Sequence, residues 1–272
     1  MVGDGFHVRN LFPSNALGEA ISPFLLLDYA GPSYYPPAEP PRGVGEHPHR
    51  GFETVTIVYQ GSVAHRDSAG NAGVIGPGDV QWMTAASGVV HEELHERRFA
   101  QAGGTLQMVQ LWVNLPARHK MSPPKYQEIV RARIPEVTLA AGAGTVRVIA
   151  GSFQGVRGPA ATFTPLNVWD LRLAGGGGAE FDVPDGHNSA AIVLEGRAAA
   201  GSSELGDAEM ALFDREGTRL RLDALQDTKL LLLTGEPLGE PVVAHGPFVM
   251  NTGEEIYRAI KDYQSGRMGR LA

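Results

Sequence analysis

Two short runs hold the side chains best suited to chemistry: His47-Pro48-His49-Arg50-Gly51-Phe52-Glu53 and Val89-Val90-His91-Glu92-Glu93. In each, two ligand-type residues stand two positions apart. Alternate residues of an extended strand project to one face. His47 and His49 therefore project together, and so do His91 and Glu93 if that segment is extended. Two such pairs on facing strands would bring three imidazoles and one carboxylate to a point. That donor set suits Fe, Mn, Ni, Cu or Zn, whereas Ca and Mg call for more oxygen ligands. The chain has nine histidines. His7, His65, His119, His187 and His245 read as solvated strand or loop residues. Two same-face pairs separated by strand-and-turn sequence are much harder to produce by chance.

The same residues contain a rival motif. His91-Glu92-Glu93-Leu94-His95 matches H-E-x-x-H, in which two histidines bind zinc and the glutamate is a general base. That chemistry needs a helix, because only there do positions i and i+4 reach one ion. The preceding sequence argues for a strand. Gly76-Pro77-Gly78-Asp79 is a turn, Val80-Gln81-Trp82-Met83 alternates, and Ser87-Gly88-Val89-Val90 joins a breaker to β-branched residues.

The elements that must position these pairs are strands. The chain has 272 residues with 35 Gly, 19 Pro and 43% hydrophobic residues, which suggests many short strands joined by tight turns. Its net charge of −7 and lack of a basic stripe argue against direct nucleic-acid binding. It has no cysteine, which excludes disulfides, thiolate zinc sites and Cys-ligated clusters and suits a reducing cytoplasm. No signal-peptide pattern opens the chain and no apolar run approaches a membrane span, so a cytoplasmic location is expected.

In chain order, Phe24–Tyr29 reads as a buried strand and residues 31–46 as a Pro-rich loop. Residues 52–59 alternate as a strand, with Val55 and Ile57 expected on the ligand face and Thr54 and Thr56 outside. Glu53 shares the inward parity, as a partner of a ligand histidine or as a residue beyond a bulge at Gly51. Strands follow over 106–114, 145–149, 167–173, 190–194 and 230–233, and Pro123-Pro124 marks a linker. An internal repeat is visible: Ile57-Val58-Tyr59-Gln60-Gly61 against Ile192-Val193-Leu194-Glu195-Gly196, and Gly78-Asp79 against Gly206-Asp207. The ligands do not survive it. Asp182 and Pro184 fall where His47 and His49 would be, and Arg219 and Arg221 where His91 and Glu93 would be. The expected division is residues 1–127 with the metal site and 128–272 without one. At the C-terminus Thr252 and Glu255 form a capping box, and Ile256, Tyr257, Ile260 and Tyr263 follow at helical spacing.

The runs HPHRGFETV, GPGDVQWMTA and VVHEE, with the segment Pro247–Thr252 and its helix, resemble the pirin family. The resemblance implies an all-β bicupin: two antiparallel β-sandwich barrels packed together, the first holding metal, with a C-terminal helix. By matching positions the metal ligands would be His47, His49, His91 and Glu93. The ion would be one divalent transition metal per chain, usually iron, with Mn, Ni, Co, Cu or Zn as alternatives. Two functions come with the family. Some bacterial pirins resemble quercetinases, flavonol 2,3-dioxygenases that open a flavonol ring with O2 and release carbon monoxide. Glu93 would then be ligand and catalytic base. Eukaryotic pirins are instead described as iron-dependent, redox-sensing partners of transcription factors, and a protein partner such as a metabolic enzyme without turnover is a related alternative. A binding cupin without turnover is a third.

Overall fold

The computed structural model describes residues 1–12 and 18–271, and the chain forms two compact units. The first comprises Met1–Ser14, Phe24–Arg131 and Gly239–Ala272; the second comprises Asn15–Pro23 and Ala132–Leu238. Both are built from strands too short and too turn-rich for anything but an antiparallel arrangement.

The first unit contains β1 (Arg9–Phe12), β2 (Phe24–Tyr35), β3 (Gly43–His49), β4 (Phe52–Gln60), β5 (Val63–Asp67), β6 (Ala72–Ile75), β7 (Val80–Thr84), β8 (Val89–His95), β9 (Gly104–Asn114) and β10 (Lys125–Ile129). They make a six-stranded sheet in the order β1-β2-β9-β4-β7-β10 and a four-stranded sheet in the order β3-β8-β5-β6. The expected Pro-rich loop is shorter than its composition suggested. β2 runs on to Tyr35 and β3 begins at Gly43, because pairing with β9 and β8 leaves only the prolines of 36–41 outside the ladders.

β3 and β4 belong to different sheets, and the chain crosses between them at Arg50-Gly51. Gly51 has φ +91°, and a Cβ there would lie 1.9 Å from the Val249 carbonyl oxygen. The crossing reverses the inward parity. Phe52, Thr54 and Thr56 share the face of the histidines, while Glu53, Val55 and Ile57 face the other way, contrary to the alternation expected from His47 onward. The reversal is fixed by Thr56, whose hydroxyl reaches Glu93. All six residues are buried, so hydrophobic alternation carried no signal here.

The C-terminal segment belongs to the first unit, not to the second barrel as expected. Phe248, Met250, Ile256, Ala259 and Met268 pack against Val90 of β8. Thr252 and Glu255 close the capping box of the helix Gly253–Gln264. Ile256 is buried, whereas Tyr257, placed on the docked face by the spacing argument, is exposed. Polar contacts make the seam specific. The Val249 amide donates to the Arg50 carbonyl at 3.0 Å. The Arg50 guanidinium donates to Asp262 at 2.9 Å and to the Ser87 carbonyl at 2.7 Å. Buried Lys120 donates to Gly51 O, Asn114 Oδ1 and Val249 O at 2.6–2.9 Å. Three acceptors replace the water that burial removes, yet burial still pushes the Lys120 ammonium down to about 7.

The second unit repeats the plan. Its six-stranded sheet runs Glu136–Thr138, Gly144–Ala150, Leu166–Leu173, Thr228–Gly235, Asn188–Glu195, Glu209–Phe213. Its four-stranded sheet runs Gly178–Asp182, Arg219–Ala224, Ala198–Ala200, Ser203–Leu205. Gly61 and Gly196 end equivalent strands with φ of +80° and +103°. The interior differs. Phe153, Trp169 and Phe181 fill it, with ring centroids 5.1 to 6.4 Å apart. Asp182 and Arg219 pair in register and both are exposed. Among the described residues, no helix is long and apolar enough to cross a membrane.

Candidate metal centre

β3 and β8 are neighbours, and His47 lies directly opposite His91 in their register. Opposed residues share a face. Strand periodicity therefore places His47, His49 and His91 together, and their ligand nitrogens lie within 4.8 Å of one another. The ring centroids are 4.2 to 4.9 Å apart. Among the described residues this is the one cluster of three or more His, Asp or Glu able to hold an ion. Glu93 stands two residues from His91 on the same face and lines the same cavity as His47 and His49. It is not part of the three-residue cluster; its Oε1 accepts from the Thr56 hydroxyl at 3.1 Å.

The ring environments favour ligation. His47 Nδ1 donates to the Gly45 carbonyl at 2.8 Å, and His49 Nδ1 makes a longer contact, 3.4 Å, to the Pro247 carbonyl. Both contacts leave Nε2 to present its lone pair. His91 is buried, and neither of its nitrogens has a hydrogen-bond partner. An orphaned buried imidazole is costly unless something binds it. Burial favours the neutral form of all three rings. It lowers His47, takes His49 to about 3 with help from neighbouring His47, and takes His91 well below the usual range. Neutral imidazole is the form that binds metal. Burial also pushes the Glu93 carboxyl up to about 7, against the Thr56 hydrogen bond. A nearby cation would oppose that rise by favouring the carboxylate.

The cluster lies at a cavity of about 240 Å³. Its walls are largely apolar, from Phe6, Val8, Val44, Met108, Trp112 and Pro247, with Asp28 and Gln110 as further polar groups. An apolar hollow with a few converging polar groups is the usual form of a small-molecule site.

Several residues stand elsewhere than the chain alone suggested. His95 lies in β8, with Nε2 2.8 Å from the Gly5 carbonyl, and Glu92 pairs with Arg66 at 2.6 Å. The H-E-x-x-H run is a strand, so His91 and His95 are about 13 Å apart along it and cannot share an ion. Glu53 points away from the histidines and accepts from Thr84 at 2.6 Å; it partners no ligand. His65, expected to be an ordinary surface residue, is buried directly opposite Glu93 and hydrogen-bonded to Tyr126. Only β5–β8 pairing reveals that neighbourhood. Phe52, Trp82 and Met83 are core, as their type suggests, though Phe52 packs edge-on against His49.

Comparison with known proteins agrees with this geometry. A family model described as Pirin matches residues 5–113, and one described as Pirin C-terminal cupin domain matches residues 168–269. A Pseudomonas aeruginosa protein named "putative quercetin 2,3-dioxygenase" is 58% identical over 269 residues, 99% of this chain and 94% of that protein. A Caulobacter vibrioides protein named pirin-like is 44% identical over 227 residues, 83% of this chain and 80% of its own length. The crystal structure of a protein titled quercetin 2,3-dioxygenase from Acinetobacter baumannii superposes with a TM-score of 0.97 at 51% identity, covering 100% of this chain and 95% of that one.

Proposed function

The chain belongs to the pirin family, and on that premise we propose that it is a flavonol 2,3-dioxygenase of the quercetinase type. It would hold one divalent transition metal, iron in the first instance, on His47, His49, His91 and Glu93. The observation that carries this reading is the orphaned, buried ring of His91 beside two further neutral imidazoles, at an apolar cavity that Glu93 also lines. The names borne by the relatives point the same way.

When bound, the ion supplies Lewis acidity toward the flavonol hydroxyl and one-electron access to O2. The chain does the rest. Glu93 accepts the hydroxyl proton as general base. Thr56 steadies it: the hydroxyl lies 3.1 Å from Glu93 Oε1 and 2.7 Å from Gln110 Oε1. Phe6, Met108 and Trp112 offer apolar walls for flat rings and exclude water from the opened product. The test is oxygen uptake by metal-loaded protein over a panel of flavonols, with carbon monoxide measured in the headspace. Equimolar O2 consumption and CO release with at least one flavonol are expected. No consumption by protein fully loaded in turn with Fe, Mn, Ni, Co and Cu would defeat the reading, and a redox-switched protein partner would replace it.

A further inference from the structure

We propose that Asp28 and Gln110 form a donor–acceptor pair that reads a hydroxyl group on the substrate, at the end remote from the metal. The substrate class is then a neutral polyhydroxylated aromatic. The inference rests on the flavonol reading for the identity of the other, chelating end.

The pair is set by sheet register. Asp28 on β2 opposes Gln110 on β9, and Gln110 opposes Thr56 on β4, so the three form one row on the cavity face. The Thr56 hydroxyl shares its one proton between Gln110 Oε1 at 2.7 Å and Glu93 Oε1 at 3.1 Å, so the Gln110 oxygen faces Thr56 and its Nε2 is left as a donor toward the cavity. Asp28 Oδ1 accepts from Asn10 Nδ2 at 2.8 Å, so its other oxygen remains an acceptor. Both residues line the cavity, where their neighbours along β9 are Met108 and Trp112. One ligand hydroxyl can donate to Asp28 and accept from Gln110 together, the reciprocal arrangement that a phenol satisfies and an ether does not.

Position and charge narrow the class. Thr56, at one end of the row, is the residue that touches Glu93. Asp28 lies two strands further on, about 10 Å at ordinary strand spacing. The hydroxyl it meets therefore belongs to a different ring region from the one beside Glu93. No lysine or arginine lines the cavity, while Asp28 and Glu93 both do. A carboxylate or sulfonate at the remote end would meet the Asp28 carboxylate, on which the N-terminal ammonium acts only as a minor counter-charge.

The test is anaerobic binding to metal-loaded protein, read by quenching of Trp112; the other tryptophans, Trp82 and Trp169, are buried in cores. Three ligands are titrated: a flavonol with hydroxyls on both outer rings, 3-hydroxyflavone, and a sulfonated flavonol. The polyhydroxylated ligand should bind about 10-fold or more tightly than 3-hydroxyflavone, as suits a hydrogen bond to a charged group. The sulfonated one should bind more weakly than either. In Asp28→Leu and Gln110→Leu the first advantage should fall toward one, with metal content retained. Asp28→Asn, which keeps the contact to Asn10, should relax the rejection of the sulfonate and serves if the leucine variant does not fold. An unchanged preference in these variants would overturn the pair alone. Failure of wild-type protein to bind any of the three would overturn the flavonol reading and the pair together.

Discussion

Replacing His49 by alanine should abolish stoichiometric transition-metal binding, and replacing His95 by alanine should leave it nearly intact. His49 supplies one of three converging nitrogens from a buried position. On the proposed site its loss would remove a ligand outright, so the effect should exceed the 10–100-fold typical of losing an outer hydrogen-bond partner of a ligand. His95 is buried too, but its ring serves the Gly5 carbonyl and packs edge-on against Phe6 and Tyr35. Its alanine variant should melt earlier and still bind one equivalent. Metal analysis of both variants after dialysis against the ion checks this. The reverse pattern would show that the H-E-x-x-H spacing, not the strand pairing, organises the site.

The second large effect concerns the two proposed roles of Glu93. Glu93→Gln keeps the side-chain shape and a weak carbonyl ligand but loses the charge and the capacity to take a proton. If Glu93 is the base, the variant should retain much of its metal and lose turnover by roughly 10²–10⁴-fold, the usual worth of a general base. Flavonol-dependent O2 uptake, normalised to metal content, checks it. Turnover falling only in proportion to lost metal would make Glu93 a ligand and nothing more. The Thr56 hydrogen bond should be kept in either case, because an amide oxygen accepts from the same hydroxyl.

The three-histidine cluster was legible because strand period two makes a local pattern of it: His47 with His49, and His91 on the facing strand with Glu93 two residues on. The choice of strand over helix at His91 was legible from the turn and β-branched residues before it. What lay beyond local pattern was not. Inward parity after Gly51 reversed because the chain changes sheets at a residue with positive φ, and β4 is buried on both faces. The cavity wall draws Phe6, Asp28 and Trp112 from three distant segments, and Trp112 sits in a strand whose apolar residues look alike from either side. The C-terminal helix announced its start through Thr252 and Glu255, but an apolar stripe carries no address. Its partner proved to be Val90 of β8 in the first unit. His65 passed as ordinary because its relation to Glu93 exists only through β5–β8 register.

The most direct measurement is anomalous diffraction at the absorption edge of the metal from crystals of the loaded protein. One peak per chain is expected, within about 2.0–2.2 Å of Nε2 of His47 and His49, of a ring nitrogen of His91, and of a Glu93 oxygen. A peak elsewhere, on His65 and Tyr126, on His95, or among residues 132–238, would contradict the assignment, as would full metal content with no peak between β3 and β8.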